Sequence, residues 1–126
     1  MSRVVLVEDE ATIRTVIEIL LSTEPDLDLV GTASTAEEGI ELVRRLEPDL
    51  VLLDNQLEGA MTGLQAAPSI KGAAPRVVVL LCTALDLVDL ANSEPAIDGY
   101  LRKDNLVNLV EVVRGLLAAR AQPGSA

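Results

Sequence analysis

Carboxylates, a hydroxyl and an ammonium group each stand directly after an apolar run in this chain. Val4-Val5-Leu6-Val7 runs into Glu8-Asp9-Glu10, and Leu50-Val51-Leu52-Leu53 runs into Asp54. Val77 to Cys82 is followed by Thr83-Ala84, and Gly99-Tyr100-Leu101-Arg102 by Lys103. Such runs have the length and composition of buried strands. A lone carboxylate is too costly to desolvate, so Asp54 must emerge at a sheet edge, within reach of water, a metal or a cation. Two carboxylates about 4 Å apart repel by roughly 4 kcal/mol at an effective dielectric of about 20, and a hard divalent cation relieves that repulsion. Oxygen donors without His or Cys point to Mg²⁺, with Mn²⁺ and Ca²⁺ meeting the same terms. Phosphoryl transfer needs a nucleophile, a metal across the phosphate oxygens and further donors on the remaining oxygens. Carboxylates form acyl phosphates, so Asp54 is the candidate nucleophile, with Lys103 and Thr83 to hold phosphoryl oxygens.

The elements that must position these groups are legible in order. After the first strand, Ile13, Val16, Ile17, Leu20 and Leu21 form a helical stripe, predicting a helix over Ala11 to Ser22. Pro25-Asp26 makes the return turn, and Leu29 to Ala33 is a second, weaker strand. Ser34 or Thr35 caps the next helix, with capping-box spacing over Thr35-Ala36-Glu37-Glu38. Ile40, Leu42, Val43 and Leu46 give that helix its apolar side, and Pro48 stops it. The third strand, Leu50 to Leu53, ends at Asp54. Asn55 to Gly63 reads as a polar loop. Leu64 to Ile70 reads as a helix that Pro68 leaves short, kinked or displaced, followed by a turn over Gly72 to Pro75. The fourth strand is Val77 to Cys82. A short helix over Leu85 to Asn92, with Leu87, Val88, Leu90 and Ala91 apolar, is broken by Ser93-Glu94-Pro95. After the fifth strand, Gly99 to Arg102, Asp104 or Asn105 caps a final helix to about Ala121. Its inner face is Leu106, Leu109, Val110, Val113, Leu116 and Leu117. Gln122 to Ala126 reads as a disordered tail or linker stub after one domain over residues 1–121.

Strand and helix alternate five times, the pattern of an α/β fold with a parallel sheet. Right-handed crossovers favour a doubly wound, flavodoxin-like sheet of order 2-1-3-4-5. That order makes the strands ending in Glu8-Asp9 and Asp54 neighbours, at the switch point where such sheets carry their sites. The composition narrows the function classes. The chain has 126 residues, no His, one aromatic residue (Tyr100) and a formal net charge of -10. The absence of His removes His-based catalysis. The negative charge argues against direct nucleic-acid binding and against an anionic membrane surface. The single Cys82 excludes an internal disulfide and reads as a buried structural thiol. No apolar run approaches the roughly 20 residues that span a bilayer, and no signal-peptide pattern opens the chain. The cytoplasm is the expected compartment.

Over residues 3–120 the chain resembles the receiver domains of two-component response regulators, the chemotaxis-regulator-like fold. The resemblance rests on Val5-Leu6-Val7-Glu8-Asp9, Leu52-Leu53-Asp54, Thr83-Ala84 and Gly99-Tyr100-Leu101-Arg102-Lys103, in order and each at a predicted strand end. It implies a signalling phosphoacceptor rather than an enzyme acting on other substrates. Asp54 would take phosphate from a histidine kinase, a phosphotransfer protein or a small phosphodonor. It also implies that Asp9, Asp54 and the backbone carbonyl of Gln56 bind Mg²⁺, with Glu8 acting through water. Thr83, the Ala84 backbone and Lys103 would contact the phosphoryl group. Thr83 and Tyr100 would switch the face of helix 4, strand 5 and helix 5, which also offers a route to homodimers. Output would lie in a further domain or an effector protein.

The chain departs from the family pattern after Asp54. Glu58 stands where the family usually has Pro, and Gly63 comes one residue late. The stretch from Thr83 to Tyr100 is short, predicting a reduced helix 4. Asp104 replaces a frequent Pro, and the Lys103-Asp104 pair resembles receivers of regulators with helix-turn-helix output. Plainer readings exist for each residue: a solvated acidic cluster at a helix start for Glu8-Asp9-Glu10, helix caps for Asp54 and Thr83, a surface charge for Lys103 and simple packing for Tyr100. Three other functions compete. A haloacid-dehalogenase-like phosphatase needs an Asp where Gln56 stands. A flavodoxin-type flavin module needs a phosphate-cradling loop where Glu8-Asp9-Glu10 would repel it. A degenerate receiver would bind partners without being phosphorylated.

Overall fold

The computed structural model describes residues 1–121; the predicted disordered tail over 122–126 lies outside the described residues. Five parallel strands, β1 (Ser2–Val7), β2 (Leu27–Ala33), β3 (Leu50–Asp54), β4 (Val78–Thr83) and β5 (Gly99–Arg102), form one sheet of order β2-β1-β3-β4-β5. The helices are α1 (Ala11–Ser22), α2 (Ala36–Leu46), α3 (Gly63–Ala73), α4 (Val88–Ser93) and α5 (Leu109–Ala121). The predicted α/β class and strand order are both found.

Period-two alternation along each strand sends its apolar residues to opposite faces of the sheet, so the unbroken runs of β1, β3 and β4 supply two cores. On one face Val5, Val7, Val51, Leu53, Val79 and Leu81 pack with Val43 of α2, Ala66, Ala67 and Ile70 of α3, and Ala91 of α4. On the other, Val4, Leu6, Leu50, Leu52, Val78, Leu80 and Cys82 pack with Ile17 and Leu21 of α1 and Leu109 and Val113 of α5. Of the stripe predicted on α1, Val16 is exposed, whereas Ile17 and Leu21 are buried. The sheet needs only a narrow strip of that helix.

Several predicted boundaries move. β2 begins at Leu27, two residues early, and slips register against β1, with Val4 opposite Leu29 and Val5 opposite Gly31. α2 starts as its capping spacing predicts, the Thr35 hydroxyl accepting from the Glu38 N–H at 3.1 Å. It ends on Glu47 in the left-handed region at φ 47°, before Pro48.

α3 is neither short nor displaced. It runs for 11 residues through Pro68 and takes in Gly72, where a turn was expected. A full capping box starts it: the Thr62 hydroxyl accepts from Gln65 N–H, and the Gln65 side chain accepts from Thr62 N–H. Pro68 itself is exposed, so its ring does not disturb the packed face of the helix, and the helix survives the loss of one hydrogen bond.

α4 is reduced to 6 residues and begins at Val88 rather than Leu85. Only Ala91 of its predicted apolar set is buried; Leu90 stays 54% exposed. The final helix also begins late. Lys103–Asn108 forms a 3₁₀ segment with a non-helical Asn105, and α5 proper starts at Leu109.

Candidate functional site

The carboxyl ends of β1, β3, β4 and β5 meet at one rim. β3 pairs with β1 on one side and β4 on the other, and the register sets Asp54 beside Cys82 and Thr83 beside Arg102. Glu8, Asp9 and Asp54 therefore converge. One carboxylate oxygen from each lies within 4.8 Å of the others. Glu8 and Asp54 are 1% and 3% exposed, while Asp9 is partly exposed.

Each end is fixed locally. Glu8 N–H donates to the Ala33 carbonyl of β2, and its own carbonyl accepts from the Arg14 guanidinium. Its Oε2 accepts from Glu10 N–H at 3.1 Å. Its Oε1 lies 2.8 Å from Lys103 Nζ. Lys103 arrives from β5 and also approaches Asp54 Oδ2 at 3.3 Å. Neither buried oxygen of Asp54 has a hydrogen-bond partner among the described residues.

Charge at this rim is out of balance. Burial and the neighbouring Glu8 charge raise the Asp54 carboxyl to about 7, against the opposing pull of Lys103. Burial would lower Lys103, but its hydrogen bond to Glu8 and the charges of Asp54 and Glu8 more than offset that and raise it. Two orphaned buried oxygens beside further carboxylates are the donor set of a hard divalent cation. The residues present therefore fit a Mg²⁺-type ion.

Thr83 is fully buried, and its hydroxyl accepts from Leu85 N–H at 3.2 Å. It caps a turn rather than a helix, because α4 starts only at Val88. Ala84 is exposed next to it. Tyr100 reaches across: its hydroxyl donates to the Leu85 carbonyl at 2.7 Å and accepts from Leu87 N–H at 3.0 Å. These bonds hold Leu85 to Leu87 off a helical path. Cys82 is a buried free thiol pushed up to about 12 by burial, in keeping with a structural role. Gln56 is exposed just after Asp54.

The packing roles of two residues at the site, Asn55 and Gly63, are not visible in the sequence reading. Asn55 is 8% exposed, not a solvated loop residue. Its Oδ1 accepts from Leu64 N–H at 3.0 Å and its backbone carbonyl accepts from Gly63 N–H at 2.9 Å. Gly63 sits against the strand end so closely that a Cβ there would lie 2.0 Å from the Asp54 carbonyl oxygen. The signal was available in part, since Asn is a habitual helix-start residue and a Gly between polar residues marks close backbone approach. Farther along the loop, Glu58 bridges Thr35 at the start of α2.

Comparisons with known proteins agree on one family. The profile of the "Response regulator receiver domain" matches residues 4–114. The chain is 37% identical over 103 residues to the nitrate/nitrite response regulator protein NarL of Escherichia coli K12, covering 80% of this chain and 47% of that protein. It is 34% identical over 98 residues to a protein-glutamate methylesterase/protein-glutamine glutaminase of Geobacter metallireducens, covering 78% of this chain and 28% of that protein. The chain thus spans about half the length, or less, of these curated relatives. Among solved structures, a LuxR-family two-component response regulator from Aurantimonas sp. SI85-9A1 superposes with a TM-score of 0.87 at 26% identity, over 99% of this chain and 92% of that one. The fold, the rim of carboxylates and the family match converge: the chain belongs to the response regulator receiver domains of two-component systems.

Proposed function

We propose that this receiver domain is a phosphoacceptor whose Asp54 takes a phosphoryl group from a phosphohistidine of a partner kinase or phosphotransfer protein, in a reaction that depends on a divalent cation. The observation that carries the reading is Asp54 itself. It is a buried carboxylate with neither oxygen hydrogen-bonded, between two further carboxylates and a lysine that approaches one of its oxygens at 3.3 Å. A side chain costly to hold in that state is one kept for chemistry.

In the proposed step an Asp54 oxygen attacks phosphorus, the bond from phosphorus to the donor imidazole nitrogen breaks, and the leaving imidazole takes up a proton. Asp9, Asp54 and the Gln56 carbonyl would hold Mg²⁺, or Mn²⁺ in its place, with Glu8 acting through water. The ion would supply charge neutralisation for the phosphoryl oxygens. Lys103 supplies a second positive charge on the same rim. Thr83 and the Ala84 backbone contribute donors once the Thr83 hydroxyl turns from Leu85.

The Tyr100 bonds to Leu85 and Leu87 link that turn to α4 and make Tyr100 the candidate relay to the face of α4, β5 and α5. Exposed Val88, Leu90 and Val107 lie on or beside that face and favour an effector or a second copy as its occupant. One relative longer than this chain is named for a methylesterase and glutaminase activity, so output is proposed to lie in a further domain or a separate protein. Among the described residues no helix is long and apolar enough to cross a membrane; the proposed setting is the cytoplasm. The module acts chemically only on its own phosphorylation and dephosphorylation.

Intact-mass measurement after incubation with acetyl phosphate tests the reading. Wild type gains one phosphoryl group with Mg²⁺ and none with excess chelator, and Asp54→Ala gains none. Equal gain by Asp54→Ala, or none by wild type, favours instead a degenerate receiver that binds partners without phosphorylation. Continuous turnover of a phosphoester would favour the phosphatase.

A further inference from the structure

The loop after Asp54 lacks the family's usual Pro, yet it is anchored in its middle and at its start. Glu58 bridges Thr35, the N-cap of α2. At its start Asn55 is gripped by the first turn of α3 through two bonds, from Gly63 N–H to its carbonyl and from Leu64 N–H to its side chain. Gly63 meanwhile packs so close to the strand end that a Cβ there would lie 2.0 Å from the Asp54 carbonyl oxygen.

Asn55 is the single residue between Asp54 and Gln56. A carboxylate ligand can adjust its rotamer, but a backbone carbonyl has none. Its position depends on the backbone dihedrals of its own residue and of its immediate neighbours. We propose that Asn55 is a positioning residue for the cation site: its side chain, fixed to Leu64 N–H, sets the backbone that presents the Gln56 carbonyl, in the place of the missing proline. This rests on the metal-centre reading above.

The proposal has a signature that plain structural loss lacks. Mg²⁺ demands near-ideal octahedral geometry, whereas Ca²⁺ accepts irregular and variable coordination. A displaced carbonyl therefore harms Mg²⁺ binding more than Ca²⁺ binding. Supporting groups behind metal ligands are typically worth about 10–100-fold in affinity.

The experiment is titration of the full chain with MgCl₂ and separately with CaCl₂, with urea unfolding in chelator to confirm that each variant is folded. Asn55→Ala is expected to weaken Mg²⁺ binding about tenfold and Ca²⁺ binding by less than about threefold, so the Mg²⁺/Ca²⁺ affinity ratio falls. Asn55→Asp keeps an acceptor for Leu64 N–H and restores the ratio, although its added charge tightens both ions. If Asn55→Ala does not fold, Asn55→Ser, one atom too short for Leu64 N–H, is measured in its place with the same expected fall. A wild-type ratio in the truncated variant overturns the positioning role. Absence of saturable Mg²⁺ binding by wild type, or binding that Asp9→Asn leaves intact, overturns the metal-centre reading itself and this inference with it.

Discussion

Lys103 Nζ stands closer to Glu8 than to Asp54, at 2.8 Å against 3.3 Å. The lysine is only 14% exposed, and it is the one cation paired with the carboxylate rim among the described residues. Glu8 thus holds the lysine beside Asp54 while leaving the Asp54 oxygens without a hydrogen bond. Breaking a buried pair by removing one partner is costly because the other charge stays behind. Lys103→Met should therefore destabilise the metal-free protein by about 3 kcal/mol at pH 8. The loss should shrink at pH 5, where Asp54 carries a proton. Urea unfolding in chelator at the two pH values checks both.

Asp54 gives a pH dependence of defined sign. Its folded carboxyl is raised to about 7 by burial and the Glu8 charge, above the unfolded value near 3.8. The folded state thus binds the proton more tightly, and stability falls as pH rises from about 4 to about 7. Asp54→Asn removes that loss. In metal-free buffer it should stabilise the domain on the order of 1–3 kcal/mol at pH 8, with the difference closing towards pH 4. Mg²⁺ should narrow the gap at pH 8, because a ligand bound only by the folded wild type adds to its stability. Thermal unfolding across this pH range, with and without Mg²⁺, reads all three effects.

Tyr100→Phe removes one bond given to the Leu85 carbonyl and one received from Leu87 N–H. The global cost should be about 1 kcal/mol. The local effect should be larger: amide exchange at Leu87 and through α4 should quicken, while β1 and β3 keep wild-type protection. Hydrogen exchange read by NMR distinguishes this from uniform destabilisation.

Much of this was legible before any coordinates. Unbroken aliphatic runs gave three central strands because both faces of the sheet are covered, and their first polar residues, Glu8, Asp54 and Thr83, had to lie at the strand ends. The meeting of those ends followed from topology alone. What failed was local. An interior Pro68 predicts a short, kinked or displaced helix, but α3 runs for 11 residues through it, its start secured by the Thr62–Gln65 capping box. Apolar spacing predicts α4 from Leu85, three residues early, because the competitor for Leu85 and Leu87, the Tyr100 hydroxyl, lies 13 to 15 residues away in sequence. Asn55 looked like loop because its burial depends on α3 folding back over it.

Gly63 carries the tightest steric demand at the rim. A methyl group there would meet the Asp54 carbonyl oxygen at 2.0 Å, and that oxygen belongs to the backbone of the central strand. Gly63→Ala should cost about 3 kcal/mol or more by driving α3 away from β3. Gly72→Ala, at the other end of the same helix, meets nothing within 4 Å and should be neutral or mildly stabilising. Paired urea titrations provide the contrast.

The account stands on Asp54 as the residue that receives the phosphoryl group, and borohydride trapping addresses that most directly. Hydride reduces an acyl phosphate to the alcohol, so a phosphorylated Asp is converted to homoserine. Peptide mapping after acetyl phosphate, Mg²⁺ and borohydride should find homoserine at position 54 and nowhere else. Homoserine at another carboxylate of the rim, such as Asp9, or no homoserine in protein incubated with donor and metal, would contradict the account.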